Sequence, residues 1–181
     1  MQINLYSYEF SAPIGNIGIA ESDGSISRVI FNLAKDDLYN ADILRLIFSQ
    51  APDFLPSLVI GATKYTDEAA SQLSDYLDGK RAEFNLQLSY SEHGFSNKVY
   101  SELLRIPAGQ TRSYRDIAVA CGAPKAYRAV GMINRNNTIP FFIPCDRVIG
   151  SNGNLTGYAG GLPMKQYLLE LEAKYYADTT V

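Results

Sequence analysis

The sequence predicts an α+β protein in two parts, a strand-rich N-terminal half and a mainly helical C-terminal half. Three observations predict this. Residues 2–31 hold three runs rich in β-branched and aromatic residues, and residues 66–90 carry a helical pattern followed by an alternating one. Beyond residue 91, apolar residues recur at helical spacing between Pro/Gly loops. The boundary is expected near residue 90, giving parts 1–90 and 91–181, each long enough to bury a core.

In chain order, "INLYSYEF", "IGNIGIAES" and "ISRVIFN" read as strands punctuated by Pro13, Gly15, Asp23 and Gly24. Residues 33–63 offer one candidate helix, around "ADILRLIF". Thr66–Leu77 is helical and stops at "DGK", where Gly79 can take a left-handed cap. "EFNLQLSY" alternates as a strand does, completing a small α+β domain. In the second half, Ser96–Arg105 reads as a helix ending before "IPAGQT". Ser113 and Asp116, three residues apart, resemble a capping box that opens a helix to Cys121. Gly122 ends that helix, Pro124 suits the first turn of the next, and the tight "CGAP" turn reads as a helix-turn-helix. On its second helix Ala126, Ala129, Val130 and Ile133 share one side, expected to face the core, which points Arg128 outward. Met164, Tyr167, Leu168, Leu171 and Tyr175 line one face of a C-terminal helix.

A chain 46% hydrophobic and 19% charged is built as soluble globular domains are. No apolar run approaches the roughly 18 residues that cross a bilayer, and "MQINLYSYEF" lacks the pattern of a signal peptide. Cys121 and Cys145 give neither a disulfide framework nor a metal cluster. The expectation is an intracellular protein with no structural metal and no membrane partner. The net charge of −3 hides an asymmetry: residues 1–90 carry −6, residues 91–181 carry +3. Between 105 and 147 seven basic residues face only Asp116 and Asp146. Such a surface suits phosphate contact, and equally suits an ordinary solvated face.

Two features bear on chemistry. Arg128 on a helix-turn-helix fits either a DNA reader or a helical hairpin with a surface arginine. Cys145, in "FFIPCDRVIG", fits either a buried structural cysteine or a reactive thiol. Pro144 fixes the backbone before it, Arg147 lies two residues on, and the glycines at 150, 153, 157, 160 and 161 form a loop able to approach a flat ligand closely.

"IPAGQTRSYRDIA", "PKAYRAVG", "NRNN", "IPCDRVIG" and "GYAGGLPMKQYLLELE", with "LSDYLDGKRAEFNLQLS" and "FSNKVYSELLRIP" upstream, resemble the successive motifs of the methylated-DNA–protein-cysteine methyltransferases. The resemblance is nearly gap-free from about residue 66 to 172. It implies a ribonuclease-H-like N-terminal α/β domain and a C-terminal helix-turn-helix domain. It also implies a monomer without cofactor, acting on double-stranded DNA in the nucleoid or nucleus. Such a protein extrudes O⁶-alkylguanine and moves the alkyl group irreversibly to its own cysteine, once per molecule. A thiolate suits the soft alkyl carbon. Carried over by position, Cys145 is the acceptor and Arg128 the finger that replaces the flipped base. Ala126, Tyr127 and Ala129 accompany Arg128 on the DNA-binding face. Tyr114 promotes flipping and gives a proton to the leaving guanine. Asn137 is the hinge to the acceptor loop, and Asn134, the Val148 carbonyl, Tyr158 and the Ala159 N–H belong to the substrate pocket. Glu172 is the far carboxylate of the activating relay.

The family's Pro-Cys-His-Arg-Val signature reads Pro-Cys-Asp-Arg-Val here. The family's histidine takes the thiol proton through a water; Asp146 instead raises the thiol pKa by its charge. Three rescues are conceivable: a proton shared by Asp146 and Glu172, the charge of Arg147, or a helix N-terminus. His93, the only histidine, reads as a surface residue. Tyr127 replaces the small residue usual beside the finger, and Asn134 puts an amide where an apolar wall is common. The alternatives are a related sensor that binds alkylguanine without transfer, and a helix-turn-helix module for undamaged DNA.

Overall fold

Alternation makes the first strand: β1, Ile3–Phe10, buries Ile3, Leu5 and Ser7 and leaves the residues between them half-exposed. β2, Gly15–Ser22, is buried from Ile17 onward because it is an inner strand, with β1 on one side and β3, Ser25–Phe31, on the other. Both pairings are antiparallel, and β4, Leu58–Ile60, pairs parallel to the outer edge of β1 in the order β3-β2-β1-β4. The computed structural model describes residues 2–47, 58–90 and 94–176. His93, with the end of the candidate helix at Phe48, lies outside the described residues.

The chain divides into two compact units, residues 1–74 with 85–89 and residues 75–84 with 90–181. In the first, Ile3, Leu5, Ala20, Leu33 and Leu38 form the core, with Leu44 of helix α1, Ala41–Ile47, packed on it. Helix α2, Lys64–Leu77, begins two residues before the sequence suggests, since Thr66 Oγ1 accepts the Thr63 N–H at 2.9 Å. The strand expected at "EFNLQLSY" is reduced to one bridge, Leu88 opposite Ile26. Its alternating burial is present. A side chain replaces the next strand, however: Gln72 accepts the Asn85 N–H at 2.8 Å and donates to the Asn85 carbonyl at 3.1 Å.

The second unit is helical: α3, Gly94–Leu104; α4, Tyr114–Ala120; α5, Tyr127–Arg135; and α6, Leu162–Tyr176. The capping box is complete at α4, where Asp116 N–H donates to Ser113 Oγ at 3.1 Å and Ser113 N–H donates to Asp116 at 2.8 Å. Gly122, at φ +74°, closes α4 with a Schellman pair, Ala123 N–H to Ala118 and Gly122 N–H to Val119. Pro124 lies in the connecting turn, not in the first turn of α5. On α5 Val130 is buried as expected, together with Asn134; Ala126 and Ile133 are half-buried, and Ala129 is exposed, against expectation. On α6 the buried face runs through Met164, Lys165, Leu168, Leu171, Glu172 and Tyr176, so Tyr175 is exposed. Finally, β5, Arg112–Ser113, pairs parallel with β6, Val148–Ile149, which sets the start of α4 beside the turn Cys145–Arg147. No helix among the described residues is long and apolar enough to cross a membrane.

Candidate functional site

Residues Ile139–Val148 are buried without a break, so Cys145 is delivered inside the unit at 6% exposure. Asn137 holds it. Its Nδ2 donates to Sγ at 3.2 Å and to the Ile143 carbonyl at 3.0 Å, while its Oδ1 accepts the Ile139 N–H at 3.1 Å. Burial first, and then the charge of Asp146, push the thiol up to about 12. The Asn137 hydrogen bond and the Lys165 ammonium oppose this. The cation that acts on the thiol is therefore Lys165, where the sequence suggests Arg147.

Arg147 has another partner. Its Nε and Nη2 donate to Glu172, the latter at 2.7 Å, and Nη1 donates to the Ile106 carbonyl at 2.6 Å. Tyr76 Oη donates to Glu172 Oε1 at 2.6 Å and the Gly109 N–H to Oε2 at 3.0 Å, so both oxygens of this fully buried carboxylate are occupied. Asp146 is 2% exposed and its Oδ1 has no hydrogen-bond partner. Burial, then the charge of Glu172, raise its carboxyl to about 6. Glu172 thus acts on Asp146 as a fixed charge, and the shared proton expected as a rescue has no hydrogen bond to sit in.

A cavity of about 830 Å³ opens between α4, α5 and the glycine-rich loop. Tyr114 and Arg115 from α4, Tyr127, Gly131 and Arg135 from α5, and Gly150, Ser151, Thr156, Gly157, Tyr158 and Ala159 from the glycine-rich loop line it. Gly131 faces the Tyr114 ring, and a Cβ there would meet it at 3.8 Å, an ordinary contact. Thr156 Oγ1 donates to Tyr114 Oη at 3.1 Å, bracing the loop against α4. Tyr158 joins cavity to thiol, since its hydroxyl feels the charges of both Asp146 and Cys145 after the larger effect of burial.

Of the residues singled out from sequence, Tyr114, Tyr127, Tyr158 and Ala159 line the cavity. Arg128 and Ala129 are exposed on α5, with the Arg128 guanidinium 5.9 Å from the centre of the Tyr127 ring. Asn137 reaches the sulfur rather than the cavity wall. The Val148 carbonyl accepts Lys165 Nζ at 2.6 Å, and the same ammonium donates to the Thr156 carbonyl at 2.9 Å. This lysine ties the strand that enters the glycine-rich loop to Thr156 within it. Sequence reasoning gave it no chemistry, although it stands in "GYAGGLPMKQYLLELE", one of the stretches that carry the resemblance. Tyr76, ninety-six residues from its partner Glu172, gave no signal at all.

A family model described as "6-O-methylguanine DNA methyltransferase, DNA binding domain" matches residues 94–174. The constitutive methylated-DNA–protein-cysteine methyltransferase of Bacillus subtilis is 41% identical over 167 residues, covering 92% of this chain and 94% of its own. That of Methanosarcina barkeri is 49% identical over 118 residues, covering 65% and 75%. Among solved structures, the Mycobacterium tuberculosis O6-methylguanine methyltransferase superposes with a TM-score of 0.76 at 33% identity, over 96% of this chain and 94% of that one. The same protein in complex with DNA gives 0.76 at 32% identity, covering 95% and 94%. Matched across both units in sequence and in fold, the chain belongs to the methylated-DNA–protein-cysteine methyltransferase family.

Proposed function

We propose that the chain repairs O⁶-alkylguanine in duplex DNA by moving the alkyl group to Cys145, once per molecule. The observation that carries this is the buried thiol held by Asn137 beside an open cavity walled by aromatic side chains. A base can enter that space only after leaving the stack. The helices α4 and α5 act as a helix-turn-helix: the exposed Arg128 takes the vacated position, and Tyr127, Ala126 and Ala129 face the groove. The flipped guanine lies against Tyr158 and the Ala159 backbone, with Tyr114 over it. Sγ forms a bond to the alkyl carbon as the carbon–O⁶ bond breaks with its electron pair on the guanine. Tyr114 supplies the proton to that guanine. The DNA substrate places the reaction in the nucleoid or nucleus.

Asp146 is the acceptor of the thiol proton, in the place of the family's histidine. From a thiol near 12 to a carboxylate near 6, the transfer is uphill by roughly 8 kcal/mol, so reaction is slow compared with a histidine-activated centre. The Lys165 charge and the Asn137 hydrogen bond, which favour thiolate, are already included in that difference. Glu172, fully engaged by Arg147, Tyr76 and Gly109, positions the centre rather than relaying a proton.

The test is single-turnover reaction with duplex DNA carrying O⁶-methylguanine, read by intact mass and peptide mapping. Gain of one methylene at Cys145 is expected, absent in Cys145→Ser. The rate should fall as the pH drops through about 6, where Asp146 becomes protonated, and should rise at least tenfold in Asp146→His. If Asp146→Asn reacts as fast as the wild type, Asp146 is not the proton acceptor. If the wild type gains no mass while binding the damaged duplex, the chain is a sensor and not a transferase.

A further inference from the structure

Asn134 is 8% exposed, and neither Nδ2 nor Oδ1 of its amide has a hydrogen-bond partner. A buried donor or acceptor left unmet costs about 1–3 kcal/mol, so two on one side chain need an explanation. Its place supplies one. Tyr127 and Gly131 line the cavity, and Asn134 follows them at helical spacing on that side of α5. Three residues further on, Asn137 donates to the backbone carbonyl of Asn134 with its N–H and to the sulfur of Cys145 with its side chain. Asn134 is thus buried one helical step beyond the cavity-lining Gly131, and its backbone is tied to the residue that holds the sulfur.

We propose that Asn134 is a specificity-determining residue that reads the substituent on O⁶, selecting hydroxyalkyl groups such as 2-hydroxyethyl over apolar groups of equal size. A hydroxyl donates one hydrogen bond and accepts others, and so satisfies Oδ1 and Nδ2 together. A carboxylate only accepts, and it would approach a sulfur whose neighbour in the chain is the carboxylate of Asp146. That charge argues for the hydroxyl. The reaction needs no further reagent: the Sγ–carbon bond forms, the carbon–O⁶ bond breaks with its electrons on the guanine, and the proton lost by the thiol is balanced by one gained by the guanine. The product is S-(2-hydroxyethyl)cysteine. This inference rests on the transferase reading above.

Wild type and Asn134→Leu are to be compared in single-turnover reactions with duplexes carrying O⁶-(2-hydroxyethyl)guanine, O⁶-propylguanine or O⁶-carboxymethylguanine. The hydroxyethyl-to-propyl rate ratio should be about tenfold higher in the wild type than in the variant, the size of one good hydrogen bond. An equal ratio in the two proteins overturns the proposal, as does a wild type that prefers carboxymethyl to hydroxyethyl. A second arm needs neither transfer nor the leucine variant: Cys145→Ser should bind the hydroxyethyl duplex about tenfold more tightly than the propyl duplex, and equal affinities overturn the proposal. Absence of transfer in the wild type with that binding preference intact refutes the transferase reading alone.

Discussion

Asp146 must ionise at 2% exposure with one oxygen unpartnered, and this has a consequence for stability. Its carboxyl titrates at about 6 in the fold against an ordinary value of 3.8. A pKa raised by folding contributes stability that is present below the unfolded value and lost as the pH rises through the folded one. Two units correspond to about 3 kcal/mol. Asp146→Asn should therefore be up to about 3 kcal/mol more stable than the wild type at pH 7.5 and equal to it near pH 3.5, measured by urea unfolding. The conflict between Asp146 and the thiol was legible in five letters of sequence, because neighbours in the chain are neighbours in space. Lys165 was not: its carbonyl partners lie 17 and 9 residues away, and nothing local distinguishes a buried lysine from a solvated one.

At the level of elements, the α4–α5 hairpin rests on two local devices. Ser113→Ala removes the oxygen that accepts the Asp116 N–H and should cost about 1 kcal/mol. Gly122→Ala forces a Cβ into a backbone at φ +74° and should cost about 1–2 kcal/mol. Both are to be read as shifts in the urea midpoint at unchanged slope. These devices were readable because cap and turn chemistry is decided within a few residues. The same locality explains the misreadings. Pro124 satisfies the rule for a first helical position, yet the chain uses it one turn earlier, and Ala129 drops out of the stripe assigned to α5. "EFNLQLSY" has a strand's alternation, but its ladder is replaced at Asn85 by the amide of Gln72, which no periodicity reveals.

On the scale of the molecule, Glu172 gathers the second unit. Arg147 from the Cys145–Arg147 turn, Tyr76 from residues 75–84 and the Gly109 amide from the loop before α4 all donate to one carboxylate on α6. Removing one partner of such a buried pair leaves the other uncompensated, typically at about 3–5 kcal/mol. Glu172→Gln should lose stability of that order in urea. The double variant Arg147→Met/Glu172→Leu should lose less than Glu172→Gln, because no charge is then left unpaired. The motifs of the second half made Glu172 conspicuous in sequence, but as a relay. Its partners, 25 and 96 residues away, are what give it the work of a keystone.

The helix α5 has one last implication, for anyone who would remodel this protein. Tyr127, Gly131 and Arg135 line the cavity from a nine-residue helix that also exposes Arg128, Ala129 and Met132. Tyr127 is exposed beside the Arg128 guanidinium, and Arg135 follows Arg128 by seven residues on the same face, so the two surfaces meet along the helix. A directed-evolution library at 127, 131 and 135, aimed at larger alkyl labels, would therefore also tilt the surface that bears Arg128. Selection for a roomier cavity and selection for grip on the duplex would act on a single rigid part, and gains in one would be inherited as changes in the other.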